Sequence, residues 1–294
     1  MDNFRQLFQY ILSGLSNGSI YALIGFGFAV IYNATGIINF AQGEFVMLGG
    51  ILTVFFLSVL KMSLIPAIVL AVIISTIVGA LFERLAIRPL KDANPLSMII
   101  ITIGASIFIR GSAMLIWGKD THALPSFSGD DPLYIGSATI LPQHLWILGL
   151  SVLIIIASRL FFNHSIMGKA MRACSYNPRA AGLVGINVKN MVLLSFALSA
   201  AIGSMAGIII APLTMTSYDV GIMLGLKGFC AVIIGGMSSG MGTVAGGLLL
   251  GLLESLGAGF ISASYKDAIA FIILLLILFI RPEGLFRQKE TERF

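Results

Sequence analysis

Long apolar runs separated by short polar gaps make up most of the chain, at 8–31, 38–60, 64–83, 96–117, 144–162, 191–212, 222–236, 240–260 and 265–281. A helix rises 1.5 Å per residue, so a run of about 20 residues crosses a hydrocarbon core about 30 Å thick. The pattern predicts an all-α polytopic membrane protein with eight to nine transmembrane helices in one transmembrane domain over 1–294. The runs at 222–236 and 240–260 are divided by a glycine- and serine-rich break, and the first is short, so a broken or re-entrant segment is expected there. Ser13, Gly14, Ser16, Asn17, Gly18 and Ser19 interrupt the first run, which lacks the compact apolar region and cleavage site of a secretory signal. It reads as a first span, with Gly14 and Gly18 on a face suited to close helix contact.

Composition agrees with the pattern. Hydrophobic residues are 57% of the chain and charged residues 11%, against roughly 25% charged in soluble domains. Mean hydropathy is +0.99. The net charge of +5 is spread over loops and the C-terminal tail without forming a patch, which argues for membrane orientation and against nucleic acid.

Loop charges give that orientation. Arg84, Arg88 and Lys91 occupy one connection, and Arg159, Lys169, Arg172, Arg179 and Lys189 lie in 159–190 with no acidic residue. Arg281, Arg287, Lys289 and Arg293 follow the last span. These three regions belong on the cytoplasmic side of a cell inner (plasma) membrane. The 118–143 connection carries Asp120, Asp130 and Asp131 against Lys119, with Pro125, Gly129, Pro132, Gly136 and Pro142 as turn residues, and is expected outside. Counting spans between these anchors puts the N-terminus outside and the C-terminus in the cytoplasm. Trp117 and Trp146 then fall at the outer interface, and Arg281-Pro282-Glu283-Gly284 ends the last helix.

The chain carries no catalytic signature. His122, His144 and His164 are scattered, Cys174 and Cys230 read as structural, and no zinc-protease or paired-cysteine spacing predicts a metal. No Gly-x-x-x-x-Gly-Lys-Ser/Thr loop is present, so energy for uphill movement would enter from another chain or an ion gradient.

Ionisable groups inside spans are costly and draw attention: here they are Glu44, Arg110, Lys227 and Glu254. Asn39, Gln42 and Glu44 form a polar cluster beside Phe40 and Gly43, and Lys227 lies among Gly225, Leu226 and Gly228. Together with Ser238 and Ser239 of the glycine-rich break, they are the candidates for a substrate path. The alternative is that they tie helices together by hydrogen bonds. Arg110 and Glu254, nearer span ends, are expected to snorkel. Thirty-three glycines, with four-residue spacings such as Gly203/Gly207, Gly221/Gly225 and Gly247/Gly251, predict tight helix packing.

The cytoplasmic loop 163–190 predicts a docking element. Asn177 suits a helix cap and Pro178 its first turn, followed by Arg179, Ala180, Ala181, Gly182, Leu183, Val184 and Gly185, with Arg172 upstream. Such a helix would display Ala181, Leu183 and Val184 to a groove in a partner or lie among headgroups.

Four ordered stretches give a family resemblance: Ile38-Asn39-Phe40-Ala41-Gln42-Gly43-Glu44; Met171-Arg172-Ala173-Cys174 through Ala181-Gly182-Leu183-Val184-Gly185-Ile186-Asn187; Gly225-Leu226-Lys227-Gly228-Phe229 with Gly235-Gly236-Met237-Ser238-Ser239; and Arg281-Pro282-Glu283-Gly284-Leu285-Phe286. At these residues the chain resembles the permeases of ABC importers for branched-chain amino acids. It is similar to the shorter of their two permease types, since the longer usually carries additional N-terminal spans. The resemblance implies a second permease subunit, two cytoplasmic ATP-binding subunits that hold the ATP, and an external substrate-binding protein. It also implies no cofactor in this chain, a coupling helix within 171–187, and a docking role for 118–143. The wider family includes permeases for urea and short amides. A gradient-driven secondary amino acid transporter would place a titratable carboxylate near the midplane, and a channel would need a charged ring or filter loop.

Overall fold

The computed structural model describes residues 2–90, 94–135 and 138–286. Lys91, Gly136, Arg287, Lys289 and Arg293 lie outside the described residues. The first half contains α1 (Asp2–Thr35), α2 (Gln42–Ser58), α3 (Leu64–Phe82) continuing into a π-helical turn (Glu83–Ile87), α4 (Pro95–Trp117) and α5 (Pro142–His164). Between α4 and α5 lies a hairpin of β1 (Leu133–Ile135) and β2 (Ala138–Ile140), with Leu133 opposite Ile140. Then come α6 (Ile166–Tyr176), α7 (Pro178–Leu183), α8 (Val188–Thr214), α9 (Val220–Gly235), α10 (Gly240–Phe260) and α11 (Lys266–Ile280). Seven helical segments among the described residues are long and apolar enough to cross a membrane, and α2 and α9 are shorter apolar helices.

Helices α1 and α8 form the buried centre, whereas α4, α5 and α11 turn apolar side chains such as Phe108, Leu115, Leu153 and Phe279 outward, as lipid-facing helices do. The predicted glycine faces are packing faces. A side chain at Gly14 would meet Leu252 Cα at 2.9 Å, and one at Gly18 would meet Leu248 Cα at 2.9 Å. From the other side, Gly247 abuts Ala22 and Gly251 abuts Gly18. In lipid, where apolar burial drives little association, such backbone approach supplies the dispersion contacts that hold helices together.

Helix α2 departs from the expected full span, whereas the short α9 agrees with the broken or re-entrant segment expected in this region. The run predicted over 38–60 becomes helical only at Gln42, because residues 36–41 fold back from the C-terminal end of α1. Gln42 sits beside Gly27 of α1 and Ser199 of α8, the latter twelfth of the 27 residues of α8, so α2 begins near mid-depth. It then runs toward the C-terminal end of α8, with Val46 against Gly207 and Val54 near Ala211. At the end of α8, Met215 takes a left-handed φ of 58° and residues 215–219 turn back into the protein, where Thr216 pairs with His122 of the connection between α4 and α5. Helix α9 begins with Gly221 against Gly43. The N-termini of α2 and α9 therefore meet inside the bundle. The glycine- and serine-rich stretch Gly235–Gly240 is a tight turn between α9 and α10, where Gly236 has φ +99°. Residues after the last span close over this turn: Leu285 N–H donates to Ile234 O (2.8 Å) and Phe286 N–H to Gly235 O (3.3 Å).

Candidate functional site

The meeting of α2 and α9 leaves a cavity of about 160 Å³, walled on a third side by α4. Its polar side is Glu44 from the first turn of α2 with Ser106 and Arg110 from α4. Glu44 is 1% exposed. Ser106 Oγ donates to its Oε1 at 2.7 Å, and among the described residues nothing hydrogen-bonds to its Oε2. Glu44 lies in the first turn of α2 and its Oε2 faces Gly221 in the first turn of α9, so the positive ends of two helix dipoles favour the carboxylate. The opposite side is aromatic: Phe229 stacks against Phe40 (5.5 Å between centroids) and Phe28 (5.9 Å). Ile103 and Ile222, both partly exposed, form the rim between α4 and α9.

Of the predicted path residues, only Glu44 lines this cavity. Asn39 shapes the approach, its Oδ1 accepting from Ala41 N–H (3.1 Å) as the chain turns into α2. Gln42 clamps the start of α2: its Nε2 donates to Ser199 O (3.2 Å), and Ser199 Oγ lies 2.6 Å from Gln42 Oε1 and 2.8 Å from Gly27 O.

Lys227 belongs elsewhere. Two residues past Gly225, it points about 200° around α9. Its Nζ is 2.9 Å from Glu254 Oε1 and 2.7 Å from Asp267 Oδ1. Tyr21 OH donates to Glu254 Oε1 (3.1 Å) and Lys266 Nζ approaches the same atom (3.3 Å), so the cluster joins α1, α9, α10 and α11 with equal numbers of acidic and basic side chains. Glu254, expected to snorkel, is 1% exposed and held by this cluster. Ser239 caps α10 by accepting from Gly242 N–H (3.0 Å), and Ser238 is exposed at the turn between α9 and α10, both apart from the cavity. Ser106 and Phe28 carried no sequence signal, because each is an ordinary residue for an apolar helix, and Phe229 stood out only as part of a family-like stretch. Arg110, expected to snorkel, lines the cavity.

The 163–190 connection carries two short helices where one was expected. The first, α6, is amphipathic and buries Gly168, Met171 and Cys174. Burial pushes the Cys174 thiol up from its ordinary range, in keeping with a packing residue. In α7, Asn177 Oδ1 accepts from Ala180 N–H (3.1 Å), Pro178 occupies the first turn, and Gly185 follows with φ +89°. The face of α7 differs from the predicted one: Ala181 is 4% exposed and turned inward, while Leu183 is 89% exposed beside Val184, Arg179 and Gly182. Arg172 Nη1 donates to Asn163 Oδ1 (3.1 Å), which fixes α6 to the end of α5.

In the connection between α4 and α5, Ser128 Oγ accepts from Trp146 Nε1 (2.6 Å). Gln143 receives Phe127 N–H (3.3 Å) and donates to Ile209 O (2.8 Å), so the loop is pinned to α8.

The fold is that of a multi-pass helical membrane protein, with a largely apolar cavity that holds Glu44, Ser106 and Arg110. A family model described as branched-chain amino acid transport system / permease component matches residues 10–278, and the chain belongs to this family. It is 33% identical to the high-affinity branched-chain amino acid transport system permease protein LivH of Escherichia coli K12, over 99% of either chain. Identity to the corresponding protein BraD of Pseudomonas aeruginosa is 32% over 97% of either chain. The ribose import permease protein RbsC of Escherichia coli K12 is 23% identical over 90% of this chain and 83% of its own.

Proposed function

We propose that this chain is one of two permease subunits in an ATP-driven importer that carries branched-chain aliphatic amino acids inward. Two cytoplasmic ATP-binding subunits bind and hydrolyse the ATP, an external binding protein delivers the substrate, and the C-terminus faces the cytoplasm. The observation that carries this reading is α7: a helix capped at both ends, fixed to the bundle through Ala181 and α6, with Leu183 and Val184 presented to solvent. Exposed aliphatic side chains on a rigid, basic-flanked helix fit a groove in a soluble partner better than they fit water. The identity to branched-chain permeases along the whole chain supports the substrate class. Closure of the ATP-binding subunits would push on α7 and α6, and through them on α5 and α8, as a rigid-body motion.

The test is leucine uptake into proteoliposomes holding the assembled transporter. ATP-dependent uptake is expected, and Leu183→Glu should abolish both uptake and co-purification of the ATP-binding subunit while leaving the thermal stability of the permease unchanged. Uptake that continues without ATP and collapses with the proton gradient would assign the chain to a secondary carrier instead.

A further inference from the structure

Glu44 and Arg110 face one cavity without pairing: no ion pair joins them, and among the described residues no hydrogen bond or ion pair engages Arg110. Glu44 Oε2 is buried without a hydrogen bond, and Arg110, partly exposed, acts on Glu44 through its charge without an ion pair, so a ligand carrying both signs can engage each. Phe28, Phe40 and Phe229 give the rest of the wall apolar rings. An apolar cavity of about 150 Å³ takes a benzene ring, so this one, at about 160 Å³ and open at its rim, has room for a small aliphatic side chain. Asp219, at the start of α9, is exposed and accepts from Ser217 Oγ (2.6 Å), whereas Glu44 Oε2, beside the cavity, is buried without a donor.

We propose that this cavity is a transient binding site for a zwitterionic α-amino acid with an aliphatic side chain, its ammonium on Glu44 Oε2, its carboxylate on Arg110 and its side chain against Phe229. The site rests on the transport reading above and adds to it a location and the groups that read each end of the substrate. Ser106 acts as a positioning residue, holding Oε1 so that Oε2 faces inward.

The experiment uses the assembled transporter in proteoliposomes with Ile222→Cys at the cavity rim, since Cys174 and Cys230 are both buried. Leucine at a concentration saturating uptake should slow thiol labelling of the introduced cysteine, whereas leucinamide, lacking the carboxylate, and 4-methylpentanoate, lacking the ammonium, should not. Glu44→Gln and Arg110→Met should each lower leucine uptake at least about tenfold, the loss expected for one charged hydrogen bond, and Glu44→Gln should also remove protection of the cysteine by leucine. Normal leucine uptake with labelling unchanged by leucine overturns the site while the transport reading stands. Absence of both branched-chain uptake and protection by any amino acid overturns the two together.

Discussion

Two acidic residues inside the bundle, alike in sequence, have opposite surroundings. Lys227, Tyr21 and Lys266 all converge on Oε1 of Glu254 and its Oε2 is buried without a hydrogen bond, whereas Glu44 has Oε1 bound by Ser106 alone and lines a cavity. Removing one partner of a buried pair strands the other. Lys227→Met is therefore expected to destabilise the bundle by about 3 kcal/mol, seen as a lower midpoint in detergent thermal unfolding. Asp267 is half exposed, so Asp267→Asn should change stability by less than about 1 kcal/mol. Equal effects from the two substitutions would contradict the division into a buried and a solvated partner. Neither chemistry nor spacing in the sequence separates Lys227 from Glu44: both sit in glycine-flanked apolar runs, and only the direction each side chain takes around its helix assigns one to a structural cluster and the other to the cavity.

Among the elements, the crossing of α2 and α9 creates the cavity, and it depends on glycine. Gly43, Gly221 and Gly225 bring the two backbones so close that a Cβ on Gly43 would lie against the Gly221 carbonyl oxygen. Gly43→Ala should cost about 1–3 kcal/mol, the usual range for overpacking, or force the helices apart. Gly149→Ala in α5 is the matched control, because nothing lies within 4 Å of its added methyl. The control should stay within about 0.5 kcal/mol of the parent, and a thermal midpoint as low as that of Gly43→Ala would refute the crossing as the cause. The four-residue glycine spacing announced close packing, and α1 with α10 fulfils it. It did not announce which runs would start at mid-depth, since a half-depth start is set by where the preceding chain folds back.

For the molecule as a whole, the proposed transport reading requires one membrane orientation. The basic ends Arg84, Arg88, Arg179 and Lys189 gather at one face, where Arg88 bridges Glu83 (3.2 Å) and the Lys189 carbonyl (3.3 Å), and the hairpin with Asp130 and Asp131 lies at the other. A membrane-impermeant thiol reagent should label Asp131→Cys in intact cells and Gly182→Cys only in inverted vesicles. The reverse pattern would invert the topology and remove α7 from the reach of cytoplasmic subunits.

Span lengths and the Asn177–Pro178 cap are local properties, so the sequence by itself determined an all-α membrane bundle and the position of the short helix α7. The tertiary structure decided which face of α7 is offered, because Ala181 turns inward only once α6 packs beneath it. It also decided that Arg110 shares a cavity with Glu44 while Lys227 pairs with Glu254, each pair drawn from two different helices. In a bundle whose helices are apolar nearly all round, hydrophobic periodicity does not mark the inward face, and side-chain direction is fixed by close backbone contacts that no single run contains.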